Sequence, residues 1–226
     1  MKRKVQVFSG AYASGKSETA INRALFNLHS LGRKTTLVDL DTVEPAYCLR
    51  PIVKQLENLG LNIIAQKEYF GLGEAASYVT QEQINCLSSD GDIVIDVGYG
   101  ASGLDILDII NNIEKEPDLE INLVVNTSKF ETMNFDNIME YLNLAQGLNN
   151  QPWKKFSGLV SNTHFGNDTT KDDIINGYNI LKKVSLHTGI PIIGIGADIN
   201  LKSHLQNKFD SVDIWYYQRM MPNALW

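Results

Sequence analysis

Apolar residues recur along this chain with two periods. Short runs alternate at every second position, and longer stretches repeat every three to four residues. Lys4-Val5-Gln6-Val7-Phe8 reads as a strand with a tight exit at Ser9-Gly10, and Glu18 to Leu31 as a helix. That helix carries Ala20, Ile21, Ala24, Leu25, Leu28 and Leu31 on one face and stops at Gly32. The same logic predicts strands over Thr35–Leu40, Leu61–Ala65, Ile93–Val97, Ile121–Val125, Phe156–Ser161 and Ile190–Ile195. It predicts helices over Glu44–Leu59 (broken near Pro51 and closed by Gly60), Ser102–Lys115, Asn134–Leu148 and Thr170–His187. Thr80-Gln81-Glu82-Gln83 has the form of a capping box, and 66–79, with Gly71 and Gly73, reads as loop. Strands alternating with helices predict an α/β fold of three layers, a mostly parallel central sheet with helices on both faces.

In a sheet of this kind ligands bind beyond the carboxyl ends of the strands. Those ends are Gly10–Ser17, Asp39–Asp41, Asp96–Gly100, Asn126–Lys129, Asn162–His164 and Gly196–Asp198. They are polar or glycine-rich where the strand bodies are apolar, a contrast that packing alone does not require.

The first of these ends reads Gly10-Ala11-Tyr12-Ala13-Ser14-Gly15-Lys16-Ser17, which is G-x-x-x-x-G-K-S between a strand and a helix. That is the phosphate-binding loop. Its glycines let backbone N–H groups, including those of Ala13, Ser14, Gly15 and Glu18, approach phosphate oxygens, and the helix N-terminus adds its unpaired donors. Lys16 supplies a positive charge between the β- and γ-phosphates, and the Ser17 hydroxyl is a candidate Mg²⁺ ligand. Asp39 and Asp41, two apart on one strand end, point to one side; one can hold water on Mg²⁺ while the other orients or deprotonates the attacking water. Asp96 ends an apolar strand in the Walker-B manner, and Gly98 behind it can offer an open N–H to the γ-phosphate. Asn162 can pair with a base edge. Guanine would call for an acid three residues on, where this chain has Phe165, and Asn126-Thr127-Ser128-Lys129 also lacks one; adenine is therefore expected. His29, His164, His187 and His204 show no metal-ligand spacing.

Composition narrows the setting. The chain has 226 residues, 43% apolar and 20% charged, as expected of one globular domain over 1–226. The formal net charge of −6 argues against a nucleic-acid backbone as the main partner. Cys48 and Cys86 are far apart without a metal-binding pattern and read as reduced structural thiols. The basic start, Met1 to Lys4, is followed by too short an apolar run for an export signal, and no run approaches a membrane span, so a cytoplasmic protein is expected.

Three segments together resemble the CobQ/CobB/MinD/ParA nucleotide-binding domain, of the SIMIBI class of P-loop NTPases. They are Gly10–Ser17, Leu37-Val38-Asp39-Leu40-Asp41-Thr42-Val43-Glu44-Pro45 and Ile93-Val94-Ile95-Asp96-Val97-Gly98-Tyr99-Gly100. The likeness is greatest to small stand-alone bacterial ATP-binding members. It implies ATP and Mg²⁺ as ligands, slow hydrolysis, a nucleotide-dependent homodimer and a protein client. By motif position it implies Lys16 and Asp41 in catalysis, Ser17 and Asp96 at the metal, Asn162 at adenine and Ala197-Asp198 in the same pocket. One departure stands inside the loop: MinD/ParA-type members carry a lysine directly after the first glycine, where this chain has Ala11; CobB-like branches also lack that lysine.

Three functions fit these residues: an assembly or regulatory ATPase, a small-molecule kinase or ATP-dependent ligase, and an ATP sensor that hydrolyses nothing. The arginines, at 3, 23, 33, 50 and 219, form no cluster of the sort a kinase uses to clamp a moving phosphoryl group. The region from about 42 to 90, with Tyr47, Arg50, Tyr69 and Phe70, is where partner or substrate specificity is expected. The aromatic tail from Val212 to Trp226 is suited either to a contact with a partner or to packing on the sheet.

Overall fold

The computed structural model describes residues 2–41, 49–66, 79–98, 100–147 and 151–221. In chain order it contains β1 (Val5–Gly10), α1 (Lys16–His29), β2 (Thr35–Leu40), α2 (Val53–Asn58), β3 (Asn62–Ile64) and α3 (Gln81–Ile84). There follow β4 (Asp92–Val97), β5 (Leu119–Val125), α4 (Phe135–Gly147), β6 (Gly158–Ser161), α5 (Lys171–Thr188), β7 (Ile192–Asp198), β8 (Lys208–Phe209) and β9 (Val212–Tyr217). The strands form one sheet in the order β3-β2-β4-β1-β5-β6-β7-β9-β8. Every pairing is parallel except the short terminal β8–β9 ribbon.

Period-two alternation sends each strand's side chains into two separate cores. Val5, Val7, Ile93, Ile95, Ile121 and Leu123 pack with Ile138, Leu142, Leu181 and Val184 from α4 and α5. Phe8, Leu37, Val94, Val124 and Val160 pack on the other face with Ala20, Ile21 and Ala24 of α1. Strands buried on both faces read as continuous apolar runs, as these do. The chain winds one way from β1 through β2 and the other way through β5, so the crevice beyond β1 lies at a topological switch point.

The expected strands are present with small shifts of boundary, and the capping box is formed: the Thr80 hydroxyl accepts from Gln83 N, and the Gln83 side chain from Thr80 N. Two helices differ from expectation. Of the expected Glu44–Leu59 helix, residues 42–48 lie outside the described residues; a 3₁₀ turn at Arg50–Ile52 then leads into α2. The expected helix over Ser102–Lys115 is instead 3₁₀ over Ala101–Ile109 and again over Ile113–Lys115. The reason lies in the spacing. The buried residues are Leu104, Leu107, Ile110 and Ile113, every third position, which is the period of a 3₁₀ helix and not of an α-helix. Asn112, at φ 63°, separates the two pieces. The loop expected at 66–79 falls largely outside the described residues, as does Cys48.

The described part of the aromatic tail packs on the sheet. Its β9 runs parallel to β7, pairing Ile195 with Ile214 and Asp198 with Tyr217. Gly194 makes room for it: a Cβ there would sit 2.2 Å from the ring of Trp215, over which the Arg23 guanidinium stacks at 4.2 Å. Cys86 is buried, and burial pushes its thiol up to about 11, which fits a structural thiol. No helix among the described residues is long and apolar enough to cross a membrane.

Gly194→Ala therefore overpacks the β7–β9 junction. The expected cost is about 2 kcal/mol, a fall in Tm of roughly 4–8 °C, read by thermal unfolding. An unchanged Tm would show that Trp215 is not held where the fold places it.

Candidate functional site

The Gly10–Ser17 loop leaves β1 and enters α1 at the sheet's switch point. Two backbone positions make the turn: Ala13 at φ 53° and Gly15 at φ 82°. Gly15 is the N-cap of α1 in a left-handed conformation that favours glycine. At Gly10, a Cβ would meet the Ser14 hydroxyl at 2.4 Å and the Val124 carbonyl at 2.6 Å, so the loop closes against β5. Two asparagines fix the loop from the neighbouring strand ends. Asn126 Nδ2 donates to the Ala13 carbonyl at 3.2 Å, and Asn162 Nδ2 to the Ser14 carbonyl at 2.8 Å. With those carbonyls held from the strand side, the loop's shape is set by the sheet as well as by its own sequence.

Acidic groups converge on Lys16 and Ser17. The Lys16 ammonium lies 3.5 Å from Asp41 Oδ2, and both side chains are buried. Asp39 and Asp96 are direct neighbours in the β2–β4 register, on the α1 face of the sheet. Asp39 Oδ1 accepts from Asp41 N at 2.9 Å and its Oδ2 from Leu49 N at 3.1 Å. The Gln83 amide donates to the Asp39 carbonyl, so the capping box of α3 is tied to this strand end.

Asp96 is different. Its two oxygens are buried and complete no hydrogen bond by geometry. Burial pushes its carboxyl up to about 8; Asp39 and Asp41 push the same way, while Lys16 and the nearby Ser17 hydroxyl oppose them. Burial, with the neighbouring Asp41 charge, brings Asp39 to about 6, against the pull of its two backbone donors. A buried carboxylate without donors, beside a serine hydroxyl at a helix N-terminus, is chemically suited to a divalent cation. Among the described residues no group of three His, Cys, Asp or Glu could hold a metal by itself. Mg²⁺ characteristically takes one or two protein oxygens and completes its shell with phosphate and water, so Ser17 and Asp96 fit that ion and would not fit zinc.

A pocket opens beside Gly15, lined among others by Glu18, Asn162, His164, Gly196, Ala197, Asp198, Tyr217 and Arg219. Asn162, Ala197 and Asp198, brought together on sequence grounds, do share it. The Asn162 amide is wedged between Gly15 and Gly196; a Cβ on either would lie within 2.2 Å of it. Asn162 thus holds the loop as well as lining the pocket. Glu18 is placed unexpectedly: its carboxylate turns to the chain's end and accepts from Met220 N and Met221 N, so its side chain is occupied there. Gly98 is buried at the end of β4, its carbonyl against Gly103, and Gly100 N donates to Gly10 O at 3.2 Å.

The sequence puts Asn126 and His164 at strand ends without assigning either a role in this pocket, and counts Arg219 only among the dispersed arginines. Asn126 stood at a strand end and was weighed only as a base-reading residue. Burial, with Lys129 and Arg219 nearby, takes the His164 imidazole down to about 4, so it lines the pocket as a neutral ring. Arg219 follows the last strand, far from the loop in sequence, and no local pattern marks it.

No protein-family model matches the chain, and no curated protein matches it. Solved structures do. The cell division protein FtsY of Thermotoga maritima is similar with a TM-score of 0.59 at 18% identity, over 87% of this chain and 62% of that one. The signal recognition particle receptor FtsY of Elizabethkingia anophelis in complex with GDP gives 0.58 at 18% identity, over 87% and 57%. The signal recognition particle 54 kDa protein of Aeropyrum pernix K1 in complex with GDP gives 0.55 at 21%, over 86% and 41%. This chain has the P-loop NTPase fold. It spans about three-fifths of the FtsY chains, 59% of one and 62% of another.

The carboxylates have a pH consequence. Each holds its proton in the folded state to a pH above its ordinary 3.8. Between those values the folded state binds more protons than the unfolded, so stability falls as pH rises through about 6 for Asp39 and about 8 for Asp96. Asp96→Asn is expected to be more stable than the native protein at pH 9, with the difference shrinking towards pH 5. Urea unfolding at the two pH values reads this; an equal difference at both would remove Asp96 from the pH dependence.

Proposed function

We propose that this chain is a SIMIBI-class P-loop protein that binds ATP with Mg²⁺, hydrolyses it slowly and uses its nucleotide state to control a protein partner in the cytoplasm. The observation that carries this reading is the convergence of Lys16, Ser17, Asp41 and Asp96, a buried acid with no backbone donor, on one glycine loop at a helix N-terminus. Three positive contributions meet the phosphates there: backbone N–H groups of Ala13 to Glu18, the helix dipole and the Lys16 ammonium. Since the Glu18 carboxylate is engaged by Met220 and Met221, its part is its main-chain N–H. Ser17 and Asp96 would hold Mg²⁺, and Asp39, whose oxygens position Asp41 and Leu49, stands one shell further out. The bound ion supplies charge neutralisation for the transferring phosphoryl group.

Asp41 is assigned to water. Fixed by its backbone bond to Asp39 and by Lys16, it would orient a water molecule and accept its proton as the water oxygen bonds to the γ-phosphorus and the bond to the β–γ bridging oxygen breaks, with ADP leaving. Gly98 supplies backbone near the γ-phosphate. In the pocket beside Gly15, Asn162, Ala197 and Asp198 face the nucleoside.

Adenine is the preferred base, on the absence of an acid at Phe165 and after Asn126. A guanine reading has one observation in its favour: Asp198, a carboxylate, lines the pocket. Two of the similar structures hold GDP, which is a property of those proteins. Ala11 bears on the dimer. It is fully buried in the core behind the loop, so this position offers no residue that could reach a second subunit, and a homodimer would have to be made without one.

Lys16→Ala is expected to lower ATP affinity by about a hundredfold or more in calorimetry with Mg²⁺ present. Unchanged affinity contradicts the phosphate site. Running GTP beside ATP decides the base. Asp41→Asn is expected to slow phosphate release by about a hundredfold while ATP affinity stays within a fewfold. Turnover equal to the native rate would take Asp41 out of the chemistry.

A further inference from the structure

The last described residues do more than end the chain. After β9 the backbone crosses the start of α1 and is bonded there side chain to main chain. Asn22 behaves as a strand partner: its Oδ1 accepts from Gln218 N at 3.0 Å and its Nδ2 donates to Gln218 O at 3.1 Å. Glu18 accepts from Met220 N at 2.9 Å and Met221 N at 2.7 Å. Met220 is buried in the core with Ile21 and Ala24 of α1 and with Leu49 and Ile52. A buried carboxylate on the first turn of the loop's own helix is thus spent on holding the C-terminal segment, a costly arrangement for a segment without a role.

What this fixing positions is Arg219. Held between Gln218 and Met220, it lines the pocket beside Gly15 and is oriented by two acceptors, Asp198 Oδ2 at 3.0 Å from its Nε, and Asn167 Oδ1. These two come from the ends of different segments, the strand end of β7 and the 3₁₀ turn Gly166–Asp168. A guanidinium so held keeps one orientation in the pocket lining, and a planar cation suits the flat, acceptor-bearing ring of a purine.

We propose that Tyr217 and Arg219 form one wall of the nucleoside pocket and that Arg219 holds the base, with Glu18 and Asn22 as positioning residues that fix the segment Gln218–Met221 behind that wall. This rests on the nucleotide reading above and adds to it a nucleoside-binding residue outside every strand-end motif. It also makes one element, α1, carry the phosphate donors at its first residues and the base wall one turn later.

The test separates the two halves of the ligand. Binding of inorganic tripolyphosphate with Mg²⁺ reports the loop alone, and binding of ATP or GTP, whichever is the tighter, reports loop and pocket together. Arg219→Ala is expected to weaken the nucleotide about tenfold and to leave tripolyphosphate within twofold, with Arg219→Lys between the native protein and the alanine variant. Equal nucleotide affinity in Arg219→Ala and native protein overturns the base wall and leaves the phosphate site standing. Equal losses for nucleotide and tripolyphosphate also overturn it, since a general effect on the fold would act on both. Native protein that binds tripolyphosphate no more weakly than either nucleotide overturns it as well. Native protein that binds none of the three ligands overturns the phosphate site itself, and the base wall with it.

Discussion

Two carboxylates lie side by side in one sheet register with almost nothing to neutralise them. Asp39 and Asp96 share the α1 face of β2 and β4; the Arg50 charge acts on Asp39, and the Lys16 ammonium, itself paired to Asp41, acts on Asp96. Burying like charges in this way costs stability, and the raised carboxyl pKa values of about 6 and about 8 express that cost. Much of the surrounding structure manages it. Asp39 is given two backbone donors and its own carbonyl is capped by Gln83, whereas Asp96 is given none. The acid without donors is the one beside Ser17, where a divalent cation would repay the burial in full.

The loop in front of these acids is held by the sheet as much as by its own glycines. Asn126 and Asn162, from adjacent strand ends, engage consecutive carbonyls at Ala13 and Ser14. This explains why a loop of small residues keeps one shape. It also explains why Asn162 is so closely surrounded: its amide fits between Gly15 and Gly196, and neither position tolerates a Cβ. The Gly10–Ser17 loop and the pocket beside Gly15 therefore share a wall, and α1 joins both to the segment after β9 through Glu18 and Asn22.

Much of this was legible in the sequence, for physical reasons. The loop motif has a fixed length because its turn has a fixed geometry, and the strand-end acids stood out against apolar strand bodies. Period-two runs located the strands because both faces of the sheet are buried. The 3₁₀ stretch at Ala101–Ile109 was written in the three-residue spacing of Leu104, Leu107 and Ile110, and was taken as α-helical. Glu18 could not be read, because its partners lie 202 and 203 residues away along the chain, and Arg219 could not, because its place depends on how β9 returns beside β7. Nor does any local pattern say that Asn126 and Asn162 bond to the loop rather than to a ligand.

The central claim is that the unpaired acid at the end of β4 belongs to a cation brought in with a nucleotide. Calorimetry of Mg²⁺–ATP binding at pH 7, repeated in buffers of different ionisation enthalpy, measures it most directly. Because Asp96 holds its proton to about pH 8 in the free protein, binding must expel that proton. The account predicts net proton release in the native protein and its loss in Asp96→Asn. Binding heats that do not depend on the buffer, in a protein that does bind Mg²⁺–ATP, would contradict it.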